Sequence, residues 1–257
     1  MTLPVKIALA GALGRMGLAL EAALLDRPDL VIVGKFDRPG ATGPGLTTAE
    51  EALVMADVVI DFTTAEASTQ LAEGLAARGG PAMVIGATGF TEAQAGRIAA
   101  AARSLPIVRT GNYSLGVNLL AGLVARASRA LSPEAYDIEV FEAHHKRKVD
   151  APSGTALLLG QAAADGRGQV LSEVSVRARD GMTGPRRAGD IGFSVLRGGG
   201  IVGDHSVIFA AEDEIITLSH SARDRSLFAR GAVEAARWVA GKEPGEYDMQ
   251  DVLGLKT

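Results

Sequence analysis

The first hundred residues alternate between short apolar runs and longer alanine-rich stretches with helical spacing. Helical periodicity extends from the glycines after the first apolar run to about Leu25, and recurs over residues 66–78 and 91–103. Strands that are apolar throughout and are separated by helices are typical of a parallel sheet covered on both faces. We therefore predict a doubly wound parallel sheet with strands at Val5–Ala10, Leu30–Gly34, Asp57–Phe62, Ala82–Ile85 and Pro106–Val108.

Beyond about residue 135 the apolar positions alternate with polar ones, and few helices separate the runs. A period of two is typical of strands in an antiparallel or mixed sheet with one packed face. One helix interrupts the series, from Ser153 to about Ala164. We predict a second, α+β domain with an open mixed sheet, built from strands at Tyr136–Glu142, Val174–Ala178, Ile191–Arg197, His205–Phe209 and Glu214–Ser219.

The chain is predicted to cross between the two domains twice, near residues 115–130 and near 220–226. The last helix, from about Ser226 to Ala240, then returns to the first domain. An open sheet leaves edges and an outer face to cover, so we expect the second domain to mediate oligomerisation. The predicted domains are residues 1–115 with 225–257, and residues 116–224.

Composition narrows the class of protein. Of the 257 residues, 47% are hydrophobic and 22% are charged, as in an ordinary globular protein. The net charge of -4 argues against a nucleic acid partner, because phosphate binding requires a basic surface. The absence of cysteine excludes disulfides and thiolate metal sites. The first residues lack the pattern of a signal peptide and no apolar run is long enough to span a bilayer, so we expect a cytoplasmic protein without a membrane partner.

A glycine-rich loop joins the first predicted strand to the first helix. Glycines at such a turn let the backbone approach a pyrophosphate, whose charge is held by amides at the helix N-terminus. The spacing is looser than the strict dinucleotide fingerprint, because a leucine takes one glycine position, so a plain strand–helix turn is the alternative. The predicted phosphate-binding residues are Gly11, Ala12, Leu13, Gly14, Arg15 and Met16, followed by Gly17.

An acid at the end of the second strand favours a Rossmann-like interpretation of this loop. Asp37 follows Gly17 by 20 residues, where a carboxylate can accept hydrogen bonds from the adenine ribose. Asp37 favours NADH because it would repel a 2′-phosphate, whereas the flanking Lys35 and Arg38 could hold one. We hypothesise that the protein uses both NADH and NADPH. The alternative is that Asp37 only begins a turn before Pro39.

Two later strands also end near glycines. In an open α/β sheet, ligands bind at the carboxyl ends of the strands, so both segments are expected to border the nicotinamide. The alternative is that both are ordinary strand-to-helix turns. The residues concerned are Gly86, Ala87 and Thr88 after the fourth strand, and Thr110, Gly111, Asn112 and Tyr113 after the fifth.

The segment from Glu142 to Ala156 combines histidines and cations at a strand end with the start of a helix. Either Ser153 or Thr155 is expected to cap that helix, and the amides of Gly154 and Thr155 would form an anion site. Lys148 and one histidine can add hydrogen bonds to a carboxylate. A histidine or a lysine can also supply the proton that completes a reduction. The histidines of this segment are His144 and His145.

The histidines and cations of this segment also have interpretations other than catalysis. Adjacent histidines on a strand point to opposite faces, so His144 and His145 do not predict a metal site. A solvated basic loop is the simpler alternative for the cations. The remaining histidines, His205 and His220, are expected to be structural.

The segment resembles the signature of the dihydrodipicolinate reductase family, whose members are also called 4-hydroxy-tetrahydrodipicolinate reductases. The resemblance extends over nearly the whole chain, and the histidine–lysine motif is its most specific part. It rests on Glu142–His145, Lys148 and Asp150–Ala156, on Gly14–Gly17, on Asp37 with Arg38, on Asn112–Asn118, on Arg179–Gly181 with Thr183 and Gly184, on Arg197 through Gly203–His205, and on His220–Ala222 with Arg225.

The resemblance implies reduction of 4-hydroxy-tetrahydrodipicolinate, through dihydrodipicolinate, to tetrahydrodipicolinate in lysine and diaminopimelate biosynthesis. It implies His144 and Lys148 as candidate proton donors, and His145, Lys148, Ser153 and the Gly154–Thr155 amides as the site for a dicarboxylate substrate. It also implies a homotetramer formed through the second-domain sheet. The sequence departs from the family pattern near the cofactor at Ala87, Gly111 and Tyr113.

Two alternatives stay open at this level. One is a nicotinamide oxidoreductase of the same two-domain plan that acts on an amino acid or a sugar. The other is a dinucleotide-binding sensor without turnover, which would have no need for His144, His145 and Lys148 together. The residues leave open the cofactor preference, the hydroxylated or dehydrated form of the substrate, and which of His144 and Lys148 gives the proton.

Overall fold

The computed structural model describes residues 3–256. The strands are β1 (Val5–Ala10), β2 (Leu30–Phe36), β3 (Val58–Asp61), β4 (Ala82–Ile85), β5 (Pro106–Arg109), β6 (Asp137–His144), β7 (Ser175–Val176), β8 (Ile191–Arg197), β9 (Asp204–Ala210), β10 (Ile215–Ser221) and β11 (Gly245–Tyr247). The helices are α1 (Arg15–Leu24), α2 (Ala49–Met55), α3 (Ala65–Arg78), α4 (Glu92–Ala101), α5 (Leu115–Ala130), α6 (Gly154–Gly166), α7 (Leu171–Val174), α8 (Ser226–Val239) and α9 (Met249–Val252).

The described chain divides into two compact units. One unit comprises the described residues up to Leu115 together with those from Ser226 onward, and the other spans Gly116–Arg225. Within residues 3–256, none of the helices combines the length and the apolar character that crossing a membrane requires.

The first unit contains a six-stranded parallel sheet in the order β11-β5-β4-β3-β1-β2. Its central strands are apolar because both faces are covered, and Ile7, Val58 and Val84 are among its fully buried residues. One face packs against α1 and α8, with Leu20 and Val233 in the same cluster. The doubly wound parallel sheet predicted from the sequence is confirmed.

The second unit contains a five-stranded mixed sheet in the order β10-β9-β6-β8-β7. β9 runs antiparallel to both β6 and β10, whereas β6, β8 and β7 are parallel. Alternate residues such as Ile138, Val140 and Phe209 form one buried face, which packs with Leu159 of α6. The predicted mixed sheet is also confirmed.

Several elements differ from the prediction. The expected strand at Val174–Ala178 shrinks to β7, because a helical turn, α7, takes up residues as far as Val174. α2 and β11 were not predicted, and β11 extends the parallel sheet beyond β5. The helix expected to begin at Ser153 begins one residue later, with Ser153 as its N-cap.

Candidate active site

The glycine loop between β1 and α1 brings the helix unusually close to the strand. A Cβ on Gly17 would lie 2.5 Å from the carbonyl oxygens of Gly11 and Ala12, so no larger residue fits there. Gly11 has φ +74°, which favours glycine. Gly14 is the N-cap of α1 and offers no side chain to it, which suits a helix start that is to receive an anion.

A cleft of about 1130 Å³ lies beside this loop, and its lining includes Gly11, Leu13, Gly14, Asp37 and Arg38. The Asp37 carboxylate accepts the Leu13 N–H through Oδ2 at 3.0 Å and the Arg38 N–H through Oδ1 at 2.9 Å. The cleft therefore places an acid beside the loop, as a site for the adenosine part of a dinucleotide requires.

The other predicted residues of this region differ in exposure and in partners. Ala12 is buried, Met16 packs against the core, and Arg15 is exposed at the start of α1. Lys35 is held by Glu21, with Nζ 2.8 Å from Oε1. Arg38 is consequently the better placed of the two candidate cations, because it lines the cleft itself.

The ends of β4 and β5 border a second cavity of about 620 Å³, and the predicted residues Ala87, Thr88, Thr110 and Gly111 line it. A Cβ on Gly86 would lie 2.1 Å from the Phe62 ring, so the close approach of these loops requires glycine. The two strand ends therefore share a concave surface in this unit.

Asn112 and Tyr113 lie in the loop after β5, and their side chains form hydrogen bonds with backbone groups. Asn112 Oδ1 accepts the Ser114 N–H at 2.9 Å. The Tyr113 side chain is 2% exposed, and its hydroxyl donates to the carbonyl of Ile85 at 2.7 Å. The sequence predicted Tyr113 as a cofactor contact, but its ring lies in the core, and the residues of this loop that line the cavity are Thr110 and Gly111.

In the second unit, β6 ends on His144, whose side chain is mostly buried. Glu142 lies two residues earlier on the same face of the strand and is fully buried. The His144 Nδ1 is 2.6 Å from the Glu142 Oε2. The first of the two predicted histidines is therefore held by a carboxylate behind it.

The Glu142 carboxylate accepts further hydrogen bonds from Arg197 and Ser153. Arg197 donates to Oε1 and to Oε2, each at 2.7 Å, and the Ser153 N–H donates to Oε1 at 2.9 Å. Burial alone would raise the pKa of the Glu142 carboxyl, but the hydrogen bonds from Arg197, His144 and the Ser153 amide lower it below its usual value. The group is accordingly ionised at neutral pH.

Ser153 connects this network to the start of α6 and to a third histidine. Its Oγ accepts the Ala156 N–H at 3.1 Å, so Ser153, rather than Thr155, caps the helix. The same oxygen is 3.1 Å from the His205 Nε2. Burial and the neighbouring His144 lower the pKa of His205 from 6.5 to about 4, so His205 is neutral.

The loop from His145 to Asp150 carries the remaining predicted groups. The Lys148 Nζ is 2.8 Å from the Asp150 Oδ2, and the Lys148 N–H donates to the His145 carbonyl at 3.1 Å. The His145 Nε2 is 3.4 Å from an Arg225 guanidinium nitrogen. Burial, with Arg147 and Arg225 nearby, lowers the pKa of His145. Cationic and neutral donors suited to carboxylates thus converge within one unit.

Sequence reasoning assigned no role to Glu142, Arg197 or Gly203. Glu142 could have been found, since residues two apart on a strand share a face and an acid beside a histidine orients its ring. Arg197 and Gly203 come close to Glu142 and His144 only through the pairing of β6 with β8 and the approach of the loop before β9.

A parallel sheet with a glycine-rich loop after β1 and an acid after β2, followed along the chain by a second unit with a mixed sheet, is typical of a two-domain pyridine-nucleotide-dependent oxidoreductase. The family model described as dihydrodipicolinate reductase, N-terminus, matches residues 5–113, and the one described as dihydrodipicolinate reductase, C-terminus, matches residues 116–253. The chain belongs to the dihydrodipicolinate reductase family. It is an NAD(P)H-dependent reductase.

Curated relatives agree with this assignment. A 4-hydroxy-tetrahydrodipicolinate reductase of Caulobacter vibrioides is 66% identical over 256 residues, covering 100% of both chains. One of Parvibaculum lavamentivorans is 50% identical over 273 residues, again covering 100% of both. A solved structure of dipicolinate-bound dihydrodipicolinate reductase from Paenisporosarcina sp. TG-14 has a TM-score of 0.79 at 21% identity, covering 97% of this chain and 99% of that one. It shows the same fold.

Proposed function

We propose that the protein reduces 4-hydroxy-tetrahydrodipicolinate, through dihydrodipicolinate, to tetrahydrodipicolinate in lysine and diaminopimelate biosynthesis. The observation that carries the proposal is the set of His144, His145 and Lys148 at the end of β6 and in the loop before α6, in a chain 66% identical over its length to a relative of that name. A sensor without turnover could keep the glycine-rich loop but would have no need for these three residues together.

The first unit is the dinucleotide-binding domain in this proposal. The loop Gly11–Met16 would hold the pyrophosphate through its amides, Asp37 the adenine ribose, and Arg38 the 2′-phosphate of NADPH. The segments 86–88 and 110–113 would border the nicotinamide. When bound, NADH or NADPH supplies the hydride for the substrate ring.

The second unit is the substrate domain, and its charges suit a small dicarboxylate. His145, Lys148, the Ser153 hydroxyl and the Gly154–Thr155 amides would hold the two carboxylates. Lys148 is paired with Asp150 in the structure, so a substrate carboxylate would replace that partner. Substrate binding would therefore exchange one carboxylate for another beside the Lys148 ammonium group.

The proton that follows the hydride would come from His144 or Lys148. His144 is buried and held by Glu142, whereas Lys148 lies on the adjoining loop and is half-buried. A positioned proton donor accelerates such a step by about 10²–10⁴-fold.

The proposal includes a homotetramer and a cytoplasmic location. The face of the second sheet opposite its core carries apolar residues that are half-buried or exposed. Covering that face with further copies of the chain would remove them from water. They are Phe141 on β6, Leu196 on β8, Ile208 on β9 and Ile215 on β10.

Replacing Lys148 tests the proposed site. We expect Lys148→Ala to lower kcat/KM by about 10²–10⁴-fold, because it removes a carboxylate contact and a candidate proton donor. Lys146→Ala, two residues away and exposed, is the control and should keep turnover near that of the wild type. Titration calorimetry with dipicolinate, a planar dicarboxylate, should show weaker binding for Lys148→Ala only. Equal turnover in the two variants would contradict the assignment of Lys148.

A further inference from the structure

We infer that Glu142, held by Arg197, is a positioning residue that fixes the orientation and the tautomer of His144. The inference rests on the proposed function, in which His144 is a candidate proton donor. The Glu142 carboxylate is fully buried, and its Oε2 lies 2.6 Å from the His144 Nδ1. A buried acid kept in such a place requires partners, and the structure provides them.

All the hydrogen bonds that reach Glu142 are donated to it. Two come from the Arg197 guanidinium and one from the Ser153 backbone amide, and none of these donors can act as an acceptor. The ionised carboxylate likewise has no proton to give. The hydrogen between Glu142 and His144 must therefore sit on the His144 Nδ1, which leaves Nε2 as the nitrogen that gains and loses the proton.

The surroundings of the His144 Nε2 agree with that role. A Cβ on Gly203 would lie 3.0 Å from Nε2, so glycine leaves space beside this nitrogen. His205 lies edge-on to the His144 ring, with the ring centroids 5.0 Å apart. The ring thus contacts Glu142 through Nδ1 and His205 at its side, and the residue next to Nε2 is a glycine.

Arg197 connects this arrangement to the loop that carries Lys148. Besides its two bonds to Glu142, its guanidinium donates to the backbone carbonyl of Asp150 at 2.7 Å. Asp150 is the ion-pair partner of Lys148. The Glu142–Arg197 pair therefore contacts both His144 and the backbone of the residue that pairs with Lys148.

Replacing Glu142 by glutamine tests the inference with little change of volume. We expect Glu142→Gln to lower kcat by about 10–100-fold with KM for the substrate within about threefold, since the amide can face Nδ1 with its own N–H and reverse the tautomer. Glu139→Gln is the matched control, because Glu139 is on the same strand and pairs with Arg179 through two bonds, on the opposite face. It should keep kcat close to wild type while it keeps the wild-type oligomeric mass.

Two further measurements separate positioning from a general structural effect. Nitrogen-15 NMR of the wild-type protein should show the neutral His144 ring protonated on Nδ1; a ring protonated on Nε2 would overturn the inference whatever the variants do. In a double-variant cycle, Glu142→Gln should add less than about twofold to the loss caused by His144→Gln, because both act through one ring.

The outcomes distinguish the inference from the function on which it rests. If the losses of Glu142→Gln and His144→Gln multiply, Glu142 does not act through His144 and the inference fails while the reductase assignment stands. The same holds if Glu142→Gln behaves like Glu139→Gln. If His144→Gln has normal turnover, the proposed role of His144 fails and the inference with it.

Discussion

At the scale of single residues, Asp37 has one observed contact and one proposed role in the first unit. It accepts the Leu13 N–H of the phosphate loop and lies where the adenine ribose is expected. We predict that Asp37→Ala lowers kcat/KM with NADH by about 10–100-fold, because the variant loses hydrogen bonds to a charged group. The loss with NADPH should be smaller, because a repulsive charge near the 2′-phosphate is also removed.

Arg38→Ala is the control for Asp37→Ala and should show the reverse order, with the larger loss for NADPH. Initial rates with each cofactor at saturating substrate measure both variants. Equal losses for the two cofactors in both variants would place the adenosine elsewhere.

His205 gives a prediction about pH and stability. Its pKa falls from 6.5 in an exposed chain to about 4 in the folded protein, mainly through burial. Because the pKa of His205 is lower in the folded protein, its neutral ring contributes fully to the free energy of unfolding above the pKa of the unfolded state. This contribution is lost as the pH falls toward the pKa of the folded state. From about pH 7 to about pH 4.5, His205 should lower the free energy of unfolding by about 2 kcal/mol.

Urea unfolding of His205→Gln should therefore show a weaker loss of stability on acidification than the wild type. His220→Gln, a half-buried histidine on the neighbouring strand, should keep most of the wild-type dependence. A His205→Gln variant with the same pH dependence as the wild type would show that His205 is accessible to protons in the folded state.

Tyr113 and Glu142 mark the limit of sequence reasoning at this scale. His144, His145 and Lys148 lie in one unit because they are close in sequence. The loop position of Tyr113 did not show that its ring turns into the core and bonds to Ile85, since that depends on the space between β4 and β5. Roles set by a partner distant in sequence, such as Arg197 for Glu142, need the fold.

At the scale of elements, α8 meets the loop after β5 at a glycine. A Cβ on Gly231 would lie 1.6 Å from the Tyr113 carbonyl oxygen. Gly231→Ala should therefore force α8 away from this loop and lower the free energy of unfolding by about 1–3 kcal/mol. Turnover should fall as well, because the loop borders the proposed nicotinamide site.

Gly96→Ala provides the comparison in another helix. Gly96 lies on α4, is exposed, and a Cβ there would meet no atom within 4 Å. This variant should gain about 0.5–1 kcal/mol, because alanine loses less backbone entropy in a helix. Thermal unfolding followed by circular dichroism measures both; a stabilised Gly231→Ala would contradict the close packing of α8.

β11 and α2, which the sequence did not predict, have too little pattern of their own. β11 has three residues and exists because β5 offers it an edge with which to pair. α2 is short and is set by a capping box between Thr48 and Glu51. The long apolar strands, in contrast, were predictable because burial on both faces leaves an uninterrupted run.

At the scale of the whole molecule, the proposed tetramer depends on the outer face of the second sheet. We predict that Ile208→Glu, which places a charge on that face, reduces the mass measured by light scattering from four chains to fewer. Val54→Glu, at an exposed position of the first unit, should leave the mass unchanged. A wild-type protein of one chain, or an unchanged Ile208→Glu, would contradict assembly through this face.

The proposed substrate of this reductase is the dicarboxylate formed from pyruvate and aspartate semialdehyde. The most direct test follows the oxidation of NADH and of NADPH while a coupling synthase produces that substrate in the cuvette. We predict rapid oxidation that depends on the synthase, with measurable rates for both cofactors. Cofactor that binds but is not oxidised in the presence of the substrate would contradict the claim.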